Sequence, residues 1–114
     1  MLGHIEGVKT IKLLSNGKLA SGGFDNLIKI WNLQTKNCEM TLEGHTGHVF
    51  CLDELNDGRL ISGATDWSMI VWDLNKGTSD FEIEGHNESV NSLVVLPDGK
   101  ILSGSSDQTI KIWE

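Results

Sequence analysis

The chain has 114 residues, a mass of 12.5 kDa and a formal charge of −7, with nine basic and sixteen acidic side chains. This balance argues against nucleic acid or an anionic membrane surface as the main partner, because both require a basic surface. No apolar run approaches the roughly 18 residues of a membrane span, so we expect no transmembrane helix.

A pattern of strands and turns begins near the N-terminus and returns at a fixed spacing of 41 residues. Residues 8–14 are a short β-prone run that predicts the first strand. The Asn16-Gly17 pair that follows supplies the positive φ angles that a tight hairpin turn requires. A second strand is predicted at 19–22, and the turn after it contains Asp25.

The third strand is predicted at 27–33, and its isoleucine-rich composition is typical of a strand packed on both faces. A fourth, short strand is predicted at 38–42. The later copies of the third strand lie at 68–74 and 109–114, and a second copy of the fourth strand lies at 79–83. No window shows useful helical periodicity, so the sequence predicts an all-β fold with four antiparallel strands per repeat.

Four side chains recur in every repeat, a His after a Gly, a Ser in the second strand, an Asp in the next turn and a Trp in the third strand. They are His4, Ser21, Asp25 and Trp31; His45, Ser62, Asp66 and Trp72; and His86, Ser103, Asp107 and Trp113. His, Ser and Asp are the residue types of a hydrolase triad, but a triad occurs once per domain and this set occurs three times. No serine lies in a GxSxG motif. We therefore expect no catalytic residues.

A structural role explains these residue types better than catalysis does. A Trp indole only donates a hydrogen bond, an ionised Asp only accepts, and Ser and neutral His do both. A buried relay from Trp to Ser to His to Asp would therefore satisfy its interior members. Such a relay would hold three strands and a turn together.

His45 and His48 have the spacing of a metal-binding pair, but zinc needs further ligands and Cys51 is the one nearby thiol. We therefore expect no metal and no cofactor, and we expect His48 to be a surface side chain. Cys38 and Cys51 occupy non-equivalent positions of their repeats and form no CxxC motif, which favours free thiols in a reducing compartment. Since the N-terminus enters the repeat at once, we also expect no signal peptide and a cytoplasmic location, with the nucleus as an alternative.

Gly-His near the start of each repeat, Asp in a late turn and Trp-Asp near the end, with four strands per repeat, resemble the WD40 repeat. The Trp-Asp dipeptide is intact in the second repeat and reads Trp-Asn and Trp-Glu in the other two. The resemblance covers essentially the whole chain as one domain, 1–114, with repeats at about 3–43, 44–84 and 85–114. It implies the structural role of the four recurrent residues.

The resemblance also implies a segment of a β-propeller with about three four-stranded antiparallel blades. The first strand of each blade would line the central channel, and the last blade would lack its fourth strand. A closed propeller typically has about 4–8 blades, so three blades would leave one flat face bare at each end. We expect the bare faces to include Val8, Ile11, Ile28 and Ile30 at one end and Val90, Leu93, Ile110 and Ile112 at the other. Further blades from a longer parent chain, or a second copy of this chain, would cover them.

Partners of WD40 propellers commonly dock on the face that carries the Gly-His loops and the Asp turns. The resemblance therefore implies a non-catalytic scaffold that binds proteins or peptides on that face, with no nucleic acid or membrane partner. The candidate contacts are the variable residues beside the fixed positions, namely Ile5, Phe24, Thr46, His48, Thr65, Trp67, Asn87, Ser89 and Ser106. Trp67 is the most informative, because Asn26 and Gln108 at the same position show that the scaffold does not demand an aromatic ring. Either Trp67 is an exposed binding residue, a type enriched in interface hot spots, or it packs on a neighbouring blade.

Two other functions remain as alternatives. The chain could be a targeting or regulatory module cut from a larger multidomain protein, or part of a propeller-based enzyme. An enzyme should carry non-repeated acidic, His or metal-ligand clusters at the channel mouth, and we find none in the sequence. Fold alone does not decide among these functions.

Overall fold

The computed structural model describes residues 6–114, which form eleven β-strands in three antiparallel sheets. The first sheet contains β1 (Val8–Leu13), β2 (Leu19–Gly23), β3 (Ile28–Asn32) and β4 (Asn37–Leu42); the second contains β5 (Val49–Glu54), β6 (Leu60–Ala64), β7 (Ser68–Asp73) and β8 (Thr78–Glu84); the third contains β9 (Val90–Val95), β10 (Ile101–Ser105) and β11 (Ile110–Trp113). None of the described residues belongs to a helix long and apolar enough to cross a bilayer.

Each sheet is a meander in which consecutive strands are hydrogen-bonded neighbours. The predicted strands are confirmed to within one residue at either end, and the third sheet lacks a fourth strand, as predicted. The first strands of the three sheets, β1, β5 and β9, lie beside one another. The sheets therefore follow one another as the blades of an open arc.

The hairpin between β1 and β2 differs from the prediction. The Gly17 N–H donates to the Leu14 carbonyl at 3.0 Å, and the Leu14 N–H donates to the Lys18 carbonyl at 2.8 Å. Gly17 has a φ of 86°, whereas Asn16 is not among the residues with positive φ. The expectation that both residues supply positive φ was wrong for Asn16, because this longer loop needs the left-handed conformation at the glycine alone. The Asn16 side chain instead accepts a hydrogen bond from the Lys18 N–H at 2.9 Å.

Two hydrophobic cores lie between the sheets. The core between the first and second sheets contains Leu14, Ala20, Ile28, Ile30 and Leu42 together with Val49, Leu52, Leu60, Ile70 and Trp72. The core between the second and third sheets contains Cys51, Ile61, Met69 and Val71 together with Val90, Leu93 and Ile101. Since alternate residues of β7 enter different cores, this strand is packed on both faces, as predicted for the third strand of a repeat.

The third strand of the last repeat is packed differently. Ile110 and Ile112 are 79% and 65% exposed, so the expectation of packing on both faces was wrong for β11. The bare end faces were predicted correctly for Val8, Ile11, Ile110 and Ile112, which are exposed as expected, but the other four predicted residues are buried. These four are Ile28, Ile30, Val90 and Leu93. They point toward the second sheet, and strand alternation alone does not tell which of its two faces meets a neighbour.

Gly63 on β6 allows the second and third sheets to approach closely. A Cβ on Gly63 would lie 2.6 Å from Val90 Cγ1 and 2.7 Å from Cys51 Sγ. We therefore expect Gly63→Ala to lower the free energy of unfolding by about 1–3 kcal/mol, as overpacking usually does. Gly104 is the matched control, because a Cβ there would meet the rotatable Ser92 hydroxyl at 2.8 Å. Chemical denaturation measures both variants, and equal losses would contradict this account of the contact between sheets.

Candidate functional site: the loop face and its hydrogen-bond network

The four recurrent side chains of the second repeat form one continuous chain of hydrogen bonds. The Trp72 Nε1–H donates to Ser62 Oγ at 2.8 Å, and Ser62 Oγ lies 2.6 Å from His45 Nε2. His45 Nδ1 lies 3.0 Å from Asp66 Oδ2. Because the indole can only donate, the short second contact fits the Ser62 hydroxyl donating to Nε2. We therefore assign the ring proton of His45 to Nδ1, which donates to Asp66.

The third repeat has the same arrangement. The Trp113 Nε1–H donates to Ser103 Oγ at 2.8 Å, and Ser103 Oγ lies 2.7 Å from His86 Nε2. His86 Nδ1 lies 2.9 Å from Asp107 Oδ2. Two repeats that differ in many surface residues therefore build the same network.

The structure describes the first repeat in part. The Trp31 Nε1–H donates to Ser21 Oγ at 2.9 Å, which matches the first bond of the other two networks. Asp25 Oδ1 accepts the Leu27 N–H at 3.2 Å. His4, the predicted fourth member, lies outside the described residues, so the link between Ser21 and His4 remains a prediction.

Each of the two fully described networks contains a fifth side chain, which the sequence did not lead us to expect. Ser68 Oγ donates to Asp66 Oδ1 at 2.6 Å and lies 3.3 Å from His45 Nδ1. Thr109 makes the equivalent contacts in the third repeat. The first repeat has Leu27 at this position. A hydroxyl residue two places after the recurrent Asp, in two repeats of three, is the sequence signal that could have revealed it.

The Asp66 carboxylate ends the network and also fixes the neighbouring loop. Burial opposes its ionisation and is the largest single influence, but hydrogen bonds from His45, from the Ser68 side chain and backbone, and from the Thr46 N–H together outweigh it. They hold the pKa of Asp66 well below its ordinary value of 3.8. The ionised carboxylate therefore binds the Gly-His loop, through the Thr46 N–H at 2.9 Å, to the turn that carries Asp66.

The network has no access for a substrate. Ser62 is fully buried, and its oxygen is in contact with both Trp72 and His45. A serine nucleophile needs an open approach and oxyanion donors beside it, so this arrangement connects strands rather than activating Ser62. Within residues 6–114, no group of three or more His, Cys, Asp or Glu side chains is placed to hold a metal ion.

His48 and Cys51, the other residues considered as metal ligands, have separate environments. His48 is exposed, and its ring makes an edge contact with Phe24 at 4.9 Å between centroids. Cys51 is buried between the second and third sheets, where burial raises the pKa of its thiol to about 12. The Cys51 thiol is therefore protonated at neutral pH and behaves as a small apolar core residue.

The candidate contact residues share one edge of the arc, which we call the loop face and define as residues 43–48 and 85–89 with the turns at 24–26, 65–67 and 106–108. Backbone bonds join each turn to the loop before it, as in Thr65 N–H to the His48 carbonyl at 2.9 Å. The exposed candidates are Thr46, His48, Trp67, Asn87 and Ser106, and the half-buried candidates are Phe24, Thr65 and Ser89. Ile5, the remaining candidate, lies outside the described residues.

Trp67 stands out on the loop face because the residue is 50% exposed and belongs to neither core. It borders a pocket of about 430 Å³ between the second and third repeats, lined by Asp66, Trp67, Ser68, Glu84, Gly85, His86 and Asn87. Its φ is 75°, close to the 69° of Asn26 and the 72° of Gln108 at the equivalent positions. This left-handed conformation suits Asn and is unfavourable for a bulky side chain. Local backbone preference therefore does not explain a Trp at this turn.

Comparison with known proteins identifies the repeat. A family model described as "WD domain, G-beta repeat" matches residues 1–32, 36–73 and 77–114. The chain belongs to the WD40 repeat family. Propellers of this family are generally non-catalytic modules for protein–protein interaction.

Relatives and a solved structure agree with this membership. The chain is 43% identical over 51 residues to apoptotic protease-activating factor 1 of Homo sapiens, covering 45% of this chain and 4% of that protein. It is 41% identical over 49 residues to coatomer subunit beta'-1 of Arabidopsis thaliana, covering 40% and 5%. The chain superimposes on the crystal structure of the WD40 β-propeller domain of Doa1 with a TM-score of 0.92 and 28% identity. That match covers 97% of this chain and 38% of the other, so this chain spans only part of these three proteins.

The buried hydrogen-bond network should contribute to the stability of the WD40 fold. Ser62→Ala leaves the fully buried Trp72 N–H without its acceptor, so we expect the free energy of unfolding to fall by about 1–3 kcal/mol. Ser79, which is exposed on β8, provides the control, and Ser79→Ala should change stability by less than about 0.5 kcal/mol. Urea denaturation compares them. If the Ser62 and Ser79 variants had the same midpoint as the unchanged chain, the network would not be stabilising.

Proposed function

We propose that this chain is a protein-interaction module, without catalytic activity of its own, that binds partner proteins or peptides through its loop face. The observation that carries the proposal is Trp67, an exposed aromatic side chain on a backbone conformation that disfavours it. A residue that contradicts local preference without serving a core is a reason to infer function.

The surroundings of Trp67 suit binding. The adjoining pocket has a volume of about 430 Å³, which falls within the range of about 300–1,000 Å³ typical of ligand pockets. Tryptophan supplies large contact area with few rotatable bonds, and it is enriched among residues that dominate binding energy. The pocket wall is held by the Asp66 and His45 network, so it needs little ordering when a partner arrives.

A propeller-based enzyme, the alternative from another functional class, has less support. Ser62 and Ser103, the serines of the two complete networks, are buried and already hydrogen-bonded. The described part of the chain also contains no group of side chains placed as metal ligands. A targeting or regulatory module within a larger protein would use the loop face in the same way as the interaction module that we propose.

Peptide selection tests the interaction function. We expect random twelve-residue peptides displayed on phage to include binders that lose about tenfold or more in affinity for Trp67→Asn. Asn26 adopts a similar left-handed φ in the first repeat, so Trp67→Asn should fold with unchanged or higher stability, which denaturation can verify. A selection that yields no peptide binding the unchanged chain more tightly than Trp67→Asn would contradict the proposal.

We also propose that further WD40 blades, from a longer parent chain or a second copy of this chain, cover the two end faces. Ile110 and Ile112 stand at the positions of Met69 and Val71, which are fully buried between the second and third sheets. At the other end, Val8 and Ile11 stand at the positions of two buried core residues of the second repeat, Val49 and Leu52. Each end face is therefore one half of an interface that occurs twice inside the arc.

Light scattering tests whether the end faces need covering. Because uncapped repeats expose apolar surface, we expect the isolated chain at micromolar concentration to associate to masses above 12.5 kDa. Combining Ile110→Glu with Ile112→Glu should reduce the association, since both side chains are exposed on one end face. A dispersed, folded monomer of the unchanged chain would contradict the proposal.

The compartment is a separate proposal. We propose that the chain works in a reducing, intracellular environment. Cys38 is an exposed free thiol and Cys51 is a buried one, which supports a compartment where thiols stay reduced.

A further inference from the structure

We propose that the pocket beside Trp67 binds a lysine or arginine side chain of the partner protein. This inference rests on the proposed interaction function and specifies the chemistry of its ligand. We call the site the Trp67 pocket and define it by Asp66, Trp67, Ser68, Glu84, Gly85, His86 and Asn87.

The exposed indole of Trp67 is the first element of the site. Among the aromatic side chains, Trp provides the strongest attraction for a cation placed over its ring. Half of its surface is exposed, and no Lys or Arg among residues 6–114 lies over this ring. The ring can therefore accept a cation from outside the described chain.

The second element is a carboxylate in the lining of the Trp67 pocket. Glu84 is exposed at the end of β8, and none of the cations of residues 6–114 forms an ion pair with it. Asp66 adds a second ionised carboxylate to the lining. The Lys111 ammonium donates to the Gly85 carbonyl, so it is already engaged with the backbone. A net charge of −7 for the whole chain further favours a basic ligand over an acidic one.

The same chain contains a filled version of this arrangement. At the opposite edge of the second repeat, the Arg59 guanidinium lies 5.8 Å from the centroid of Phe81, an exposed ring. The guanidinium also pairs with Asp80 at 3.0 Å and with Asp57 at 2.9 Å. An aromatic ring and carboxylates thus hold a cation there, whereas in the Trp67 pocket no Lys or Arg of residues 6–114 lies over the ring or pairs with Glu84 or Asp66.

The size of the Trp67 pocket suits one long side chain. Its volume of about 430 Å³ is toward the lower end of the range of ligand pockets. The pocket opens to solvent on the loop face. Lysine and arginine can place their methylene groups along the indole while the charged end reaches a carboxylate. A partner would therefore insert a single basic residue, with its backbone lying across the loop face.

The test uses the peptides that need Trp67 for binding. We expect Lys or Arg to be enriched at one fixed position of these peptides, at least about fivefold over the starting library, because each supplies the missing cation. In a synthetic peptide of the best sequence, replacing that residue by norleucine keeps most of the methylene chain and removes the charge. This replacement should weaken binding about fivefold or more.

Two glutamates on one strand provide the matched pair. Glu84→Gln should weaken binding of the basic peptide about three- to fivefold, and the loss should shrink at 0.5 M NaCl because salt screens exposed charges. Glu82→Gln is the control, since Glu82 is exposed on the same side of β8 but does not line the Trp67 pocket. It should leave the affinity unchanged. Calorimetric titration with the synthetic peptide measures all three proteins.

The other outcomes separate the two proposals. Peptides that depend on Trp67 but carry an apolar or acidic residue at the fixed position would overturn the basic-ligand inference and leave the interaction function standing. Equal effects of Glu84→Gln and Glu82→Gln would also overturn it. The absence of any Trp67-dependent peptide would overturn both proposals.

Discussion

The structure depends on giving a buried indole N–H an acceptor. Trp72 is fully buried between two sheets, and its Nε1–H finds Ser62 Oγ on the neighbouring strand. A buried donor without a partner costs roughly 1–3 kcal/mol, so the serine is needed wherever the tryptophan is. The serine hydroxyl in turn needs an acceptor, which His45 provides, and His45 needs Asp66. One buried donor thus determines the types of three other residues.

The same network explains why the loop face can carry a binding site. Asp66 holds the Gly-His loop through Thr46, and the Thr65 hydroxyl accepts the His48 N–H at 2.8 Å. The backbone of the loop face is therefore fixed by buried or backbone-directed contacts. The side chains that point outward, Trp67 above all, do not take part in this support. They can differ between repeats, and hence between proteins, while the scaffold remains the same.

The sequence predicted much of the fold because the repeat supplies three independent readings of the first three strands and two of the fourth. Strands such as β2 and β6 were located to within a residue, since turn residues and apolar runs recur at one spacing. The sequence did not predict which face of a sheet packs against its neighbour. Ile28 and Ile30 were therefore assigned to a bare end face although they lie in a core. The spacing fixes where a strand lies along the chain, but the identity of the neighbouring sheet depends on three-dimensional packing.

The residues of the candidate site that recur in every repeat were predictable from the sequence, whereas those present in only one or two repeats were harder to predict. Trp67 was found because it departs from the repeat, whereas Glu84 was missed because it reaches the Trp67 pocket from the end of a different strand. Glu84 pairs with Ser68 across the β7–β8 hairpin, one residue beyond the predicted end of the fourth strand at residue 83. Ser68 was missed for a different reason, since a hydroxyl residue stands at its position in the second and third repeats but a leucine stands there in the first.

The central claim is that Ser62 donates to His45 Nε2 and that His45 Nδ1 donates to Asp66, so that each network is one directed chain of hydrogen bonds. Nitrogen-15 NMR of the imidazole rings of His45 and His86 in the folded chain tests this claim most directly, because the two ring nitrogens differ in chemical shift when one carries the proton. The account predicts that, at neutral pH, both rings carry their proton on Nδ1 and leave Nε2 as an acceptor. A proton on Nε2 in either ring would contradict it.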